Sequence, residues 1–289
     1  MLKLKSYAKI NLFLDIEGRR QDGYHLIKTV MQSIDLYDEI TIDSIAEDKI
    51  EIECSNPLIP TDQRNTCWKS ADIIKTLYNI KYGVKIRIKK QIPSEAGLAG
   101  GSSNCAAVIE GLNKLWSLNM SQDEMLNIGL KVGADVPFCI LGGTYLAEGI
   151  GEKLSRLNDF KWENILIIKP DFSMSTAFVY KNLLPQDYNS FKDNKIIEFI
   201  NSGEFYNAAI STSNTLEKVV EKFHPEIKDI INLLLENKAV AARMTGSGSA
   251  VLGFFESKQS LEEAYNNIVK EFPHTFKTKT TLKGIEICD

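Results

Sequence analysis

Residues 92–103 read Ile-Pro-Ser-Glu-Ala-Gly-Leu-Ala-Gly-Gly-Ser-Ser and lead into a stretch whose apolar residues have helical spacing. The glycines let the backbone come close to a ligand, and the two serines stand where the helix is expected to begin. Free N–H groups and the positive end of the helix dipole attract anions at such a point. A triphosphate is the natural occupant, although an ordinary glycine-rich turn capped by serine would also fit this stretch alone.

The best-known glycine motifs do not describe this stretch. A Walker loop needs Gly-Lys before Ser or Thr, and the chain has no Gly-Lys dipeptide. The Rossmann fingerprint fails because Gly149-x-Gly151 and Gly246-x-Gly248 both lack the third glycine. No Gly-x-Ser-x-Gly occurs, so a nucleophile elbow has no support. The stretch therefore belongs to another class of phosphate-binding loop.

Three further features of the sequence could take part in ligand binding or catalysis. Lys9 and Asn11 share one face of a strand whose other face is apolar, so Lys9 either extends to solvent or faces an anion. Asp135, among small and apolar neighbours, is either a turn or cap aspartate or a functional acid. Residues 245–249, Thr-Gly-Ser-Gly-Ser, form either a plain hairpin or a second loop that approaches a ligand closely. Each feature by itself leaves both interpretations open.

Composition limits the classes of protein. The 289 residues carry 34 Lys and Arg against 38 Asp and Glu, a net charge of −4, which argues against general nucleic-acid binding. We find no signal sequence and no apolar run of spanning length, so we expect no membrane segment. The five cysteines show no Cys-x-x-Cys pair, so neither a disulfide framework nor a zinc site is indicated. We expect a soluble cytoplasmic protein.

The apolar pattern mixes both kinds of element without a strict βαβ rhythm, which predicts an α+β fold. Strands are expected near 2–17, 26–34, 39–53, 84–88, 138–147, 165–168, 240–244, 250–255 and 275–282. Helices are expected near 64–80, 104–116, 121–130, 175–184, 193–201, 213–222, 225–237 and 258–271, with a loop at 133–138. The polar stretch 156–164 is the candidate boundary, which divides the chain into domains 1–157 and 158–289.

Taken together, these features resemble the small-molecule kinases named after galactokinase, homoserine kinase, mevalonate kinase and phosphomevalonate kinase (GHMP kinases). The matching segments, in order along nearly the whole chain, are Ala-Lys-Ile-Asn-Leu at 8–12, Asp-Gly-Tyr-His at 22–25, and residues 93–103, 133–138 and 244–249. The resemblance implies a two-domain α+β fold with the active site in the cleft between the domains. Any one segment would be weak evidence for this family, but the combination of all five is specific to it.

The resemblance also implies how ATP is bound. The residues expected around the nucleotide are Pro93, Gly97, Leu98, Ala99, Gly100, Gly101, Ser102 and Ser103 at the phosphates, and Asn65 and Lys90 near the adenine. Mg²⁺ would enter with ATP and meet Ser102 or Ser103, without a dedicated metal site. Glu95 and Ala99 depart from the family pattern, since both replace glycines. Alanine at 99 costs little if φ there is negative, and the Glu95 side chain is expected to point to solvent.

The same resemblance assigns the catalytic pair. Asp135 would be the general base toward the substrate hydroxyl. Lys9 would neutralise the developing charge and keep Asp135 ionised, because a nearby cation lowers the pKa of a carboxylate. Asn11 would hold the polyol of the substrate. The expected activity is the ATP-dependent phosphorylation of an alcohol.

The resemblance also implies the substrate, and residues 22–25 discriminate it from its rivals. The family member that the chain resembles most phosphorylates the 2-hydroxyl of a cytidine diphosphate-linked methylerythritol, in the non-mevalonate route to isoprenoids. Tyr24 and Tyr180 would stack on the cytosine and His25 would hydrogen-bond its edge. Homoserine or mevalonate kinase is the nearest rival, and a nucleotide-binding protein without catalysis is the rival from another class. Monomer and homodimer both stay open.

Overall fold

The computed structural model describes residues 1–288 as helices and strands, the strands forming two sheets, and it confirms the α+β prediction. The strands are β1 Leu2–Arg19, β2 His25–Ile45, β3 Ile50–Cys54, β4 Gly83–Lys89, β5 Thr144–Gly149, β6 Lys153–Arg156, β7 Ile165–Ile168, β8 Ser213–Asn214, β9 Ala241–Met244, β10 Val251–Phe254, β11 Thr275–Thr278 and β12 Ile285–Cys288. The helices are α1 Thr66–Leu77, α2 Gly100–Leu115, α3 Gln122–Val132, α4 Val136–Leu141, α5 Thr176–Lys181, α6 Ile196–Ser202, α7 Phe205–Ile210, α8 Thr215–Glu221, α9 Glu226–Glu236 and α10 Lys258–Ile268.

The first sheet has eight strands and is built around β1 and β2, which pair antiparallel over most of their length. Helix α2 packs on this sheet and buries every side chain from Ser103 to Ile109. Its apolar residues join those of β2 and β4 in one core, which explains why its apolar pattern is so continuous.

The second sheet runs in the order β11-β7-β10-β9 and is entirely antiparallel. All four residues of β7 are buried, and they alternate between two cores. Leu166 and Ile168 pack with the apolar faces of α8 and α9, whereas Ile165 and Ile167 pack with Ile10 and other residues of β1. Side chains point to opposite faces along a strand, so this short apolar strand has both faces covered.

Two expectations about residues 133–147 were wrong. The segment 136–141 is the helix α4 rather than a loop, and the strand expected at 138–147 is β5 at 144–149. Pro137 misled the prediction, because proline is accommodated in the first turn of a helix, where N–H groups have no acceptor. Gly142, at φ +64°, ends the helix.

Other elements were missed or misjudged at their ends. The strands expected at 26–34 and 39–53 are one long strand, β2, followed by the short β3. Strand β6, helix α7 and strand β12 had not been expected, and the strand expected at 275–282 ends at Thr278. Strand β12 pairs with Lys3–Ser6 and β8 pairs with Phe13 and Leu14, so segments from beyond residue 157 complete the first sheet. Within residues 1–288, no helix combines the length and apolarity needed to cross a bilayer.

Candidate active site

A cavity of about 1120 Å³ brings most of the predicted site residues together. The predicted residues that line it are Lys9, Asn11, Tyr24, His25, Asn65, Lys90, Pro93, Gly97, Leu98, Ala99, Gly100, Gly101, Ser102, Asp135 and Tyr180. Residues 174–177 and 246–248 also line it, so its walls come from both halves of the chain.

The two serines at the start of α2 have different surroundings. Ser102 is half-buried and lines the cavity. Ser103 is fully buried, does not line the cavity, and its hydroxyl donates to the carbonyl oxygen of Tyr7 at 2.8 Å. Ser103 therefore joins α2 to β1, and Ser102 is the serine whose hydroxyl is available to a ligand.

The glycine-rich loop is held from behind by the second glycine loop. Gly97 has φ +75°, and a Cβ atom added there would lie 2.1 Å from the carbonyl oxygen of Thr245. The backbone N–H of Ala250 donates to the carbonyl oxygen of Ala96 at 3.2 Å. Residues 245–249 are thus more than a plain hairpin, since they support the wall of the cavity. Glycine is required at position 97 both by its φ and by the lack of space.

The two departures from the family pattern both have left-handed backbone. Glu95 has φ +51° and Ala99, the N-cap residue of α2, has φ +56°. The condition under which alanine at 99 would cost little, a negative φ, is therefore not met, and Ala99 carries strain that a glycine would avoid. Glu95 is exposed, but it also lines the cavity.

Lys9 and Asp135 face each other inside the cavity. The Nζ of Lys9 lies 3.8 Å from Oδ2 of Asp135 and donates to Oδ1 of Asn11 at 2.6 Å. The side chain of Lys9 is only 6% exposed, which excludes the interpretation that it extends into solvent. Asn11 is fixed in turn, because its Nδ2 donates to Thr29 at 2.7 Å and its backbone N–H donates to Thr245 at 2.8 Å.

Asp135 is the N-cap residue of α4, but its carboxylate makes no capping hydrogen bond. The side chain is 38% exposed and borders the cavity. The sequence left open whether Asp135 is a cap aspartate or a functional acid. Because its carboxylate caps nothing, the first interpretation does not explain the side chain. It has one face toward the buried Lys9 ammonium and the other toward the open cavity.

Lys90 lines the cavity, yet its charge is already matched. Its Nζ forms an ion pair with the carboxylate of Asp38, which is fully buried, and also donates to Oδ1 of Asn104 at 3.2 Å. The same carboxylate accepts from the backbone N–H groups of Gln91 and Ile92 at 2.6 and 2.8 Å. Asp38 therefore anchors the segment that leads from β4 into the glycine-rich loop.

Asn65 lies at the cavity wall as the N-cap of α1. Its Oδ1 accepts from the backbone N–H of Cys67 at 2.9 Å, and its Nδ2 donates to the carbonyl oxygen of Pro60 at 2.6 Å. The side chain thus fixes the start of α1 beside the cavity.

An aromatic group also lines the cavity. Tyr24 sits on the turn between β1 and β2 and is 61% exposed, while the ring centroids of His25 and Tyr180 are 5.4 Å apart. Burial, and secondarily the cation of Arg19, lowers the pKa of His25, so its imidazole is neutral over a wider pH range than usual. Burial raises the pKa of Tyr180, and the carboxylate of Asp135 adds to the effect.

The sequence did not point to the residues that hold this site from behind. Asp38 and Thr29 lie within strand β2 and belong to no motif. Thr245 was quoted with its loop, but without a role. The residues that line the cavity belong to recognisable motifs. Asp38, Thr29 and Thr245 instead hold those residues through contacts between segments that are distant in sequence.

Within residues 1–288, no group of three His, Cys, Asp or Glu side chains is placed to hold a metal ion. Oxygen donors that border the cavity include the Ser102 hydroxyl and the carboxylates of Asp22, Glu95 and Asp135. These hard oxygen ligands suit Mg²⁺, which keeps much of its own water and binds substrate phosphates.

The chain is similar to kinases over nearly its whole length. "GHMP kinases N terminal domain" matches residues 65–143 and "GHMP kinases C terminal" matches residues 201–274. The 4-diphosphocytidyl-2-C-methyl-D-erythritol kinase of Clostridioides difficile (strain 630) is 44% identical over 292 residues, which cover 99% of this chain and 98% of that protein. That of Acetivibrio thermocellus is also 44% identical, over 96% of this chain and 99% of that protein.

Solved structures agree with these relatives. A crystal structure of 4-(cytidine 5'-diphospho)-2C-methyl-D-erythritol kinase matches with a TM-score of 0.82 at 26% identity, over 96% of this chain and 98% of that one. The homoserine kinase of Cytophaga hutchinsonii matches with a TM-score of 0.80 at 17% identity, over 99% and 97%, and shows the fold alone. The chain belongs to the GHMP kinases, and within them to the family of the 4-diphosphocytidyl-2-C-methyl-D-erythritol kinases.

Proposed function

We propose that this chain transfers the γ-phosphoryl group of ATP to the 2-hydroxyl of 4-diphosphocytidyl-2-C-methyl-D-erythritol, in the non-mevalonate route to isoprenoids. One observation carries the proposal. The buried Lys9 with Asp135, the glycine-rich loop and the aromatic group at Tyr24 all border one cavity, in a chain 44% identical to kinases named for this substrate.

The phosphates of ATP would lie against residues 97–102. The first N–H groups of α2 have no acceptor within the helix and lie beside the cavity, so they can donate to phosphate oxygens. The adenine would lie toward Asn65 and Lys90. Because the charge of Lys90 is matched by Asp38, we assign Lys90 to shaping this end of the cavity rather than to neutralising phosphate.

Asp135 would act as the general base. Its carboxylate takes the proton of the 2-hydroxyl, the freed oxygen bonds to the γ-phosphorus, and the bond from that phosphorus to the β,γ-bridging oxygen breaks to release ADP. Lys9 lies 3.8 Å from this carboxylate and would offset the negative charge that develops beside it. Asn11, fixed by Thr29 and Thr245, would hold the polyol.

The cytosine would occupy the aromatic end. Tyr24 and Tyr180 offer ring faces for stacking, and the neutral His25 offers a ring nitrogen that can hydrogen-bond the edge of the base. Mevalonate and homoserine have no ring that would use these groups, which favours the cytidine substrate over the rival kinases of the same fold.

Mg²⁺ would enter with ATP, held by the phosphates and water together with the Ser102 hydroxyl, and would reduce the negative charge of the phosphates. We further propose that the cavity separates domains 1–157 and 158–289, since it is lined by residues from both. The five free thiols support a reducing compartment, for which we propose the cytoplasm. Monomer and homodimer remain equal alternatives.

The test is ADP release by the purified protein with ATP, Mg²⁺ and the cytidine substrate. We expect turnover that depends on that substrate and a product whose new phosphate is on the 2-oxygen, seen by ³¹P NMR. Turnover with homoserine or mevalonate instead would assign the chain to a rival kinase. A protein that binds ATP and turns over none of the three would be a nucleotide-binding protein without catalysis.

A further inference from the structure

His25 has a second aromatic neighbour, outside the cavity. The ring of Tyr188 meets the imidazole edge-on, with centroids 5.9 Å apart and planes at 83°. Tyr180 contacts the same imidazole from the cavity side at 5.4 Å. Tyr188 does not line the cavity, so it contacts His25 from behind. The imidazole is thus in contact with two rings, of which only one can touch a ligand.

The segment that carries Tyr188 is tied to β1 by a buried carboxylate. Asp15 is 3% exposed, and its two oxygens accept from the backbone N–H groups of Ser190 and Phe191 at 3.2 and 2.9 Å. The Thr215 hydroxyl donates to it at 2.6 Å. Within residues 1–288, Asp15 forms no ion pair, so these hydrogen bonds are what compensates its burial.

Further hydrogen bonds fix the backbone on either side of Tyr188. The N–H of Asn189 donates to the carbonyl oxygen of Ile16 at 2.8 Å, and the Ser190 hydroxyl donates to the carbonyl oxygen of Asp187 at 2.7 Å. Residues 187–191 are therefore an ordered turn fastened to β1. The turn needs this fastening because it has no helix or sheet of its own beyond a single 3₁₀ turn at Pro185–Asp187.

The orientation of the His25 imidazole affects which base edge it can hydrogen-bond. A neutral histidine has one donor nitrogen and one acceptor nitrogen in the plane of its ring. Cytosine and uracil differ at the base edge, where cytosine has an amino donor next to a ring acceptor and uracil has a carbonyl acceptor next to a ring donor. An imidazole that can tilt freely discriminates these edges poorly, because its hydrogen bonds are weakened by poor angles.

We propose that Tyr188, held in place by Asp15, is a positioning residue that fixes the plane of His25 and so sets the preference for cytosine. The proposal rests on the proposed function, because it assigns His25 to the base of that substrate. The edge-on contact is the geometry that aromatic pairs prefer, and it holds the imidazole against rotation. Tyr188 itself touches no substrate.

The test compares Y188L and Y188F with the wild-type protein. We expect Y188L to raise KM for the cytidine substrate about two- to tenfold, the size of one aromatic pair, while kcat and KM for ATP stay near wild type. The preference for the cytidine substrate over its uridine analogue is expected to fall by a similar factor. Y188F keeps the ring and is expected to restore both values. Y206L, at an exposed tyrosine outside the cavity, is the matched control.

Several outcomes would overturn the proposal. Wild-type KM and wild-type base preference in a folded Y188L would exclude the positioning role, and so would an equal loss in Y188F. If Y188L does not fold, Y188M, which also lacks a ring but has a longer and more adaptable side chain, gives the same comparison. A wild-type protein without turnover of the cytidine substrate would instead refute the proposed function, so the two failures are distinguishable.

Discussion

The two ends of the cavity are built in different ways. At the end that contains Lys9 and Asp135, the walls are backbone and buried side chains held by contacts with other strands, as in the packing of Gly97 against Thr245. At the other end, Tyr24 is 61% exposed on a turn and His25 contacts the rings of Tyr180 and Tyr188. We call the first region the reaction end and the second the base end, after the roles proposed for them.

This difference follows from the chemistry of each end. Phosphoryl transfer depends on groups already placed where charge develops, because reorganising them during the reaction would raise the barrier. Recognition of a base needs ring faces that are open until the base arrives. Substitutions of the side chains that act on the transferred phosphoryl group should therefore change kcat, and those in the glycine-rich loop should change KM for ATP. Substitutions at the base end should change KM for the cytidine substrate only.

The largest expected effect of this kind is at Lys9. K9M keeps most of the buried stem but removes the ammonium that lies 3.8 Å from Asp135. We expect kcat to fall about 10²- to 10³-fold, the size found when one stabilising donor is removed from an active site. Steady-state kinetics measure this, and K3M, at an exposed lysine of the same strand, should leave kcat unchanged. A large rise in KM for the cytidine substrate at constant kcat would mean that Lys9 binds this substrate and does not stabilise the reaction.

Gly97 tests whether the loop is held as tightly as described. In G97A, left-handed strain of about 1–3 kcal/mol adds to a clash with the carbonyl oxygen of Thr245 at 2.1 Å. We expect a lower Tm and a KM for ATP raised at least tenfold. G203A is the control, since Gly203 has φ +79° but nothing within 4 Å of an added Cβ. Equal losses of Tm in both variants would mean that the contact with Thr245 is unimportant.

Tyr24 tests the base end. Y24A removes one stacking face, which is worth about 1–3 kcal/mol for a base on an aromatic ring. We therefore expect KM for the cytidine substrate to rise about tenfold, with KM for ATP unchanged. Y206A serves as the control at a similarly exposed tyrosine. A change in KM for ATP alone would show that Tyr24 does not stack on the cytosine.

The smallest expected effect is at Ala99 and has the opposite sign. A99G relieves the strain of a φ of +56°, so we expect the free energy of unfolding to rise by about 1 kcal/mol. Chemical denaturation measures it, and A107G, at a fully buried position inside α2, should instead lower stability by at least as much. A destabilised A99G would mean that the alanine side chain contributes packing that outweighs its strain.

The fold class and the lining of the cavity could be predicted because they are local in sequence. The loop at 93–103 joins the glycines to the start of α2, and residues 22–25 place Tyr24 and His25 on one turn. What escaped prediction depends on distant partners. Asp38 and Lys90, which form an ion pair, are 52 positions apart in the sequence. Asp15 and the backbone N–H of Phe191, which form a hydrogen bond, are 176 positions apart. No periodicity or motif encodes such pairs.

Backbone conformation was a second source of error. The sign of φ at Ala99 could not be inferred from alanine, which usually avoids the left-handed region. Helix α4 was taken for a loop because Pro137 and the preceding Gly133-Ala134 resemble a turn. Both errors fall beside the reaction end, where the chain adopts conformations that local propensity does not favour.

A single-turnover measurement of D135N tests the central claim most directly. With ATP and the cytidine substrate both saturating, we expect phosphoryl transfer at least about 10²-fold slower than in the wild-type protein, because the general base is lost while both ends of the cavity still bind their ligands. Transfer at the wild-type rate would contradict the assignment of Asp135 as the base and, with it, the division of the cavity into a reaction end and a base end.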